Sequence, residues 1–224
     1  MARKKGVVLL SGGIDSSTLL YYLRSQEHSL LPITFKYGQR HEKEVESARA
    51  IAISLNLSIK VVDISGLGLF GGSSLTDDIP IPEGHYTDES MKLTIVPNRN
   101  MVFLSLATAY AVSMGCDYVA YAAHAGDHFI YPDCRPEFID SIAYSIKLAT
   151  GNVGLVTPFS HLSKAGIVRL GLGLKVPYLM TWSCYKGDEV ACGRCGTCVE
   201  RLEAFSLNNE KDPIDYMAGT YLDR

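Results

Sequence analysis

The sequence has no block of like charge: across 224 residues, 21 Lys and Arg stand against 24 Asp and Glu, a formal charge of −3. Proteins that grip nucleic acid through its phosphates carry a basic excess, so no direct nucleic-acid contact is expected. Long apolar runs are missing too. Stretches such as 6–10 and 107–112 fall far short of the roughly 20 residues that cross a bilayer, and no membrane span is expected. The opening Met1-Ala-Arg-Lys-Lys is basic like the start of a secretory signal, but the apolar run after it is short and leads into Ser-Gly-Gly without a cleavage-like site. A cytoplasmic location is expected. Also absent is Gly-x-x-x-x-Gly-Lys-Ser/Thr, whose lysine serves enzymes acting at a γ-phosphate. With 47% hydrophobic and 20% charged residues and no repeat or low-complexity segment, the composition is that of a folded globule.

What is present is an alternation of short apolar runs with helical patterns. Residues 7–10 lead into Ser11-Gly-Gly, after which Leu19, Leu20 and Leu23 fall at helical spacing. Runs at 30–35 and 59–64 flank a charged helix with Val45, Ala48, Ala52 and Leu55 on one face. Helices over 99–114, 136–148 and 163–175, and strands over 117–122 and 153–157, continue the pattern. It predicts an α/β fold with a parallel sheet covered on both faces. Over 65–97, Gly66, Gly68, Gly71, Gly72, Pro80, Pro82 and Gly84 break the period, and long loops of this kind in compact domains are usually functional. At about 150 residues per domain, the chain divides into a main domain over 1–180, with this loop as a lid, and an extension over 181–224 with a last helix at 199–205.

Of six cysteines, Cys116 and Cys134 stand apart, whereas Cys184, Cys192, Cys195 and Cys198 crowd together. In a cytosolic chain this crowding points to metal, not disulfides. Four thiolates suit tetrahedral zinc, and Gly193 and Gly196 permit the tight turns between them. A site with four protein ligands is closed, hence structural; an iron–sulfur cluster is the alternative with the same ligand number.

Ser11-Gly-Gly-Ile-Asp-Ser-Ser sits between a strand and a helix. Adjacent glycines let backbone N–H groups approach a ligand, serines add hydroxyl donors, and the helix points its positive end inward, so the stretch suits a phosphate or pyrophosphate. The plainer alternative is a glycine-rich turn with serine caps. Gly66-Leu-Gly-Leu-Phe-Gly71 imitates a dinucleotide fingerprint but no helix pattern follows it. Tyr37-Gly-Gln-Arg-His41 puts Gln39, Arg40 and His41 at the end of the second strand, where ligands of open parallel sheets bind. Val96-Pro-Asn-Arg-Asn100 offers Arg99 and Asn100 at a helix start, and Tyr131-Pro-Asp-Cys-Arg-Pro-Glu-Phe138 gathers Asp133, Cys134 and Arg135 close in sequence to His124, Asp127 and His128. Taken singly, each of these reads equally as a cap or a surface residue.

The loop resembles that of the adenine-nucleotide α-hydrolase-like ATP pyrophosphatases, which split ATP between its α and β phosphates. Together with Thr181-Trp-Ser-Cys-Tyr, Cys192-Gly-x-Cys-Gly-x-Cys-x-x-Arg201 and the other motifs above, in order over 6–205, the chain resembles the QueC family, the 7-cyano-7-deazaguanine synthases. The resemblance implies a three-layer, Rossmann-like (HUP-type) fold with a C-terminal zinc-binding subdomain. It also implies an activity that joins 7-carboxy-7-deazaguanine and ammonia, with two ATP, into a nitrile. Structural Zn2+, Mg2+ with ATP, and a homodimer come with it. Leu10, Ser11, Gly12, Gly13, Ile14, Asp15, Ser16, Ser17, Thr18, Leu19 and Leu20 then form the ATP-binding stretch, with Asp15 near magnesium. Lys164 and Arg99 would neutralise phosphate charge, and Asp127 completes the catalytic set. The base would meet Gln39, Arg40, His41, Arg99, Asn100, His124, Asp127, Tyr131, Asp133 and Arg135. Among these, Asp133 would read its guanine-like edge, with Phe129 or Tyr131 stacking.

Where many relatives have Gly-x-Asn/Glu-x-x-Asp-Tyr/Phe-Ser-Gly-Tyr-Pro-Asp-Cys, this chain reads His124-Ala-Gly-Asp-His-Phe-Ile-Tyr-Pro-Asp-Cys. That difference leaves open an adenylating enzyme that stops at the amide or couples another amine. A tRNA thiolase using Cys134 is a further rival, disfavoured by the missing basic patch. A non-catalytic zinc-knuckle module is disfavoured by the intact Asp15 and its flanking serines.

Overall fold

The computed structural model describes residues 4–85, 92–127 and 131–221, without the side chain of Asp127. Strand β1 (Lys5–Leu9) enters helix α1 (Ile14–Ser25), followed by β2 (Ser29–Lys36), α2 (Lys43–Ser54) and β3 (Lys60–Asp63). The chain then forms α3 (Arg99–Ser113), β4 (Tyr118–Ala120), α4 (Pro136–Thr150), β5 (Gly154–Val156), α5 (Lys164–Gly173) and α6 (Gly196–Ser206). The strands lie in the order β3-β2-β1-β4-β5, all parallel. The chain leaves β1 toward β2 and later returns to β1's other side as β4, which opens a crevice at the strands' carboxyl ends where open α/β sheets bind ligands.

Alternation along β1 explains the layers. Val7 and Val8 are both fully buried, but in different cores, because successive strand side chains point to opposite faces. On one face Leu19, Leu20 and Leu23 of α1 meet Ile51 of α2, Ile167 and Val168 of α5, Phe159 and Phe205. On the other, Leu104, Ala107 and Ala111 of α3 meet Ile139, Ile142 and Ile146 of α4. Truncating a fully buried member such as Leu20 to Ala costs about 2–5 kcal/mol. Helix ends follow local chemistry: Ser163 Oγ accepts the Gly166 N–H (3.2 Å) to open α5, and Gly151, with φ at 78°, closes α4.

The described part of the long loop has form. Ser65–Phe70 is a 3-10 turn, not the α-helix start a dinucleotide loop needs. Further on, Glu83 bridges to Cys195, with its carboxylate 2.6 Å from Lys186 Nζ and 3.4 Å from Arg194 Nε. The segment therefore lies against the cysteine cluster. Behind that cluster, fully buried Arg201 donates to both oxygens of Asp212 (2.6 and 2.9 Å), to Thr181 Oγ1 (2.8 Å) and to the Tyr178 carbonyl (3.1 Å). Such a bidentate, fully hydrogen-bonded pair fixes geometry. It ties α6 to both the segment before it and the tail after it. No helix among the described residues is long and apolar enough to cross a membrane.

Candidate active site

A cavity of about 270 Å³ opens at the carboxyl ends of β1, β2 and β4. At one end lies the glycine–serine loop. Gly12 has φ at 91°, and a Cβ there would overlap the Glu44 carbonyl and the Ala48 nitrogen, so only glycine lets α2 pack this close. Ser11 and Ser16 hydroxyls meet at 2.9 Å. Gly13 caps α1 without a side chain, which leaves first-turn N–H groups available to an anion.

Asp15 stands in that first turn, its side chain 22% exposed. Lys164 Nζ donates to its Oδ2 at 2.6 Å, and His124 Nε2 lies 3.9 Å from the same oxygen. Burial pushes the Asp15 pKa up, but the Lys164 and His124 charges and the Lys164 hydrogen bond outweigh burial and hold it below the ordinary carboxylate value. Its other oxygen, Oδ1, is buried and has no hydrogen-bond partner among the described residues. An ionised carboxylate with an unused oxygen, beside an anion-binding loop, is the donor a hard cation takes.

The opposite end is aromatic. Phe35 stacks on Phe103 at 4.4 Å with 15° between planes, and Tyr37 tilts against Phe103 at 5.7 Å. Asn98 adopts a left-handed conformation (φ 56°) before α3; Asn tolerates that conformation better than most residues. Arg99 follows in the helix's first turn, its Nη1 donating to Tyr37 Oη at 3.4 Å and its Cζ 5.5 Å from that ring's centre. Asp133 Oδ2 accepts the Asn100 N–H (3.1 Å), and Asn100 Nδ2 donates to Cys134 Sγ (3.2 Å).

Glu44, from α2, lines the same end. Among the described residues its carboxylate makes no hydrogen bond, and no cationic nitrogen lies within 4.0 Å. Burial raises its pKa, with Arg99 pulling the other way. Burial and the Glu44 charge push Tyr37 up to about 12. For Arg99, burial acts to lower the pKa, but Tyr37, Tyr185, Glu44 and Tyr131 outweigh it and keep the guanidinium charged.

The roof comes from the C-terminal segment. The sulfurs of Cys184, Cys192, Cys195 and Cys198 all lie within 4.8 Å of one another, and all four residues are buried. Cys192 and Cys198 Sγ are 3.9 Å apart, close to the roughly 3.8 Å separation that tetrahedral metal–thiolate bonds of about 2.3 Å imply. The cluster fits a metal ion. Its sequence neighbours Trp182, Ser183, Tyr185, Thr197 and Glu200 line the cavity. Thr197 Oγ1 donates to the Ser183 carbonyl at 2.8 Å. The Trp182 N–H donates to the Gly12 carbonyl at 3.0 Å, its Nε1 to the Cys184 carbonyl at 2.8 Å, and Lys43 Nζ lies 4.3 Å from its ring centre.

The structure brings Leu10, Ser11, Gly13, Ile14, Asp15, Ser16, Gln39, Arg99, Asn100, His124, Tyr131, Asp133 and Lys164 to this cavity. Other expected site residues lie elsewhere. Leu19 and Leu20 point into the core and Thr18 bonds the Ile14 carbonyl and Tyr178 Oη, because a helix presents only part of its first turns to a ligand at its end. Ser17 is fully buried, and its Oγ has no hydrogen-bond partner. Arg40 turns outward to the Ile79 carbonyl and Asp78. His41 sits against Gly187, and exposed Arg135 caps α4. Gln39 lines the cavity but is bonded to the backbone of Tyr37 and Phe35. Asp127 ends a 3-10 turn, while His128, Phe129 and Ile130 fall outside the described residues. Glu44 and Glu200 were not foreseen as site residues, since acids on helix patterns read as solvated faces. Phe35 and Phe103 read as core.

The family model for "Queuosine biosynthesis protein QueC" matches residues 5–209. The chain is similar to the 7-cyano-7-deazaguanine synthase of Hahella chejuensis, at 51% identity over 95% of this chain and 93% of that one. The enzyme of the same name from Caldicellulosiruptor saccharolyticus is 53% identical over 95% of each. Among solved structures, an NMN synthetase from Francisella tularensis shares the fold at 16% identity and a TM-score of 0.53, over 99% of this chain and 82% of that one. A 4-thiouridine synthetase shares it at 22% identity and a TM-score of 0.51, over 89% of this chain and 50% of that one. Cavity, cysteine cluster and sheet order thus coincide with sequence likeness along almost the whole length, and the chain belongs to the QueC family.

Proposed function

We propose that this protein converts 7-carboxy-7-deazaguanine, ammonia and two ATP into 7-cyano-7-deazaguanine, a step of queuosine biosynthesis. The observation that carries the chemistry is the ionised Asp15, gripped by Lys164 at one oxygen and open at the other, beside a loop whose helix starts uncapped. A carboxylate is a poor electrophile because its leaving group would be oxide. Attack of its oxygen on the α-phosphorus of ATP expels pyrophosphate and leaves an acyl adenylate. Ammonia then adds to the acyl carbon and loses a proton as AMP departs, giving the amide. The amide oxygen attacks the second ATP in the same way, and loss of AMP with two N–H protons leaves the nitrile.

The protein's part is to align reactants and to stabilise the leaving pyrophosphate. N–H groups of Ile14 to Ser16 and the hydroxyls of Ser11 and Ser16 would face the phosphates, and Lys164 would supply a positive charge. Magnesium, held by Asp15, would neutralise further phosphate charge. Zinc on the four cysteines would fix the roof formed by Ser183, Tyr185, Thr197 and Glu200. Asp133 secures the start of α3 through Asn100, which aims Arg99 into the cavity.

The test is incubation with magnesium, ATP, ammonium and 7-carboxy-7-deazaguanine, followed by mass spectrometry of the base and quantitation of AMP. Nitrile with two AMP per base is expected. An amide end point would assign the chain to the amide-forming variant, and no base-dependent AMP would refute adenylation altogether. Elemental analysis is expected to give about one zinc per chain.

A further inference from the structure

We propose that Glu44 and Arg99 together read the guanine-type edge of the deazapurine, and so set which base is accepted. The inference rests on the function proposed above. Two opposite charges share the aromatic end of the cavity, yet no ion pair within 4.0 Å joins them. Arg99 makes one long hydrogen bond, to Tyr37 Oη at 3.4 Å. The Glu44 carboxylate makes no hydrogen bond among the described residues. Partly buried charges left apart are costly unless something completes them.

The required ligand presents donors to a carboxylate and, beside them, an acceptor to a guanidinium. A guanine-type edge has that order: the 2-amino group and N1–H donate, and the neighbouring O6 accepts. A carboxylate with two free oxygens takes the two donors side by side, and Arg99 donates to the carbonyl. Flat rings supply the rest, with Phe35 stacked on Phe103 and Tyr37 tilted against Phe103. Asp133, the other carboxylate at this end, already accepts the Asn100 N–H through Oδ2 and is thereby fixed to α3. The other acids lining the cavity lie elsewhere: Asp15 with Lys164 at the phosphate loop, and Glu200 in the roof.

Glu44→Gln replaces one acceptor oxygen by a donor that opposes the base's own N–H groups. Sites built to hydrogen-bond a substrate group discriminate strongly against partners lacking it. Wild-type protein should therefore prefer 7-carboxy-7-deazaguanine to its analogue without the 2-amino group by about 100-fold or more in kcat/KM for AMP release. In Glu44→Gln that preference should shrink to within about fivefold, and KM for the base should rise about 30-fold, while KM for ATP stays within about twofold. Glu44→Asp, which keeps the charge, should retain much of the preference. A rise in ATP KM in place of base KM would assign the carboxylate to the ribose hydroxyls and overturn the proposal, as would an unchanged preference. A wild-type protein with no base-dependent AMP release would instead sink the proposed function itself, which separates the two failures.

Discussion

At the glycine–serine-loop end of the cavity Asp15 and Lys164 meet at 2.6 Å, whereas at the aromatic end Glu44 and Arg99 face one space with no ion pair between them. The first arrangement is paired at one oxygen before any ligand arrives, with the other Asp15 oxygen still open. An organised dipole that need not rearrange is what stabilises charge developing on a leaving pyrophosphate. The second is incomplete by construction: its unpaired charges weaken the empty protein and are satisfied only by a ligand that supplies both donors and an acceptor. In the function proposed above, catalytic charge is preorganised by pairing, whereas recognition is left unpaired.

The comparison breaks most completely where both ends share a support. Cys195→Ser removes one of the four clustered thiols from the segment that roofs both. The expected outcome is loss of bound metal by elemental analysis and a fall in Tm of more than about 10 °C by calorimetry. A folded, metal-free variant with normal KM for ATP and base would contradict the roof's role. Next in size is Lys164→Met. It should lower base-dependent AMP release about 1,000-fold, with the expected preference for the base bearing its 2-amino group intact; single-turnover assays separate the two. Asp15→Asn should lower activity about 100-fold and, by removing a paired charge, lower Tm by about 2–4 °C. The smallest effect has the opposite sign: Glu44→Gln should raise the Tm of ligand-free protein by about 2 °C.

Acid titration sharpens the contrast. The folded-state pKa of Asp15 lies below its ordinary 3.8, so its stabilisation is present above that value and fades as pH falls through the depressed pKa. Glu44's folded pKa lies above 4.5, so its ionisation costs stability at neutral pH. That penalty disappears as pH falls through the raised pKa. The Tm gain of Glu44→Gln should therefore vanish on acidification before the loss in Asp15→Asn does. The reverse order in thermal melts over pH 3–7 would sink this reading.

Much of the frame was legible because it is local. Leu19, Leu20 and Leu23 announce α1 by spacing, Ser163 announces α5 by capping, and the cysteine spacing announces a metal site whose sulfurs do converge. The reach of a motif was less legible. Ser17 to Leu20 follow the loop in sequence, but helical rotation turns Leu19 and Leu20 into the core. Arg40 and His41 continue a motif at the end of β2, yet the chain bends there and sends Arg40 to Asp78. Glu44 was invisible because its role depends on α2 lying against Gly12. That contact joins two stretches of chain whose proximity no periodicity reveals. The cavity's roof was hidden for a similar reason: Glu200 carries no signal until α6 is docked by Arg201 and Asp212.

Trp182 is the chain's one tryptophan. Its ring takes Lys43 on its face, its indole N–H donates to the Cys184 carbonyl, and its backbone N–H donates to the Gly12 carbonyl of the glycine–serine loop. The tryptophan emission of this protein is therefore the emission of a single wall of its cavity. Nucleotide at the loop and metal on the cysteines, as proposed above, should each perturb this one indole, so that its emission offers a label-free optical readout of both.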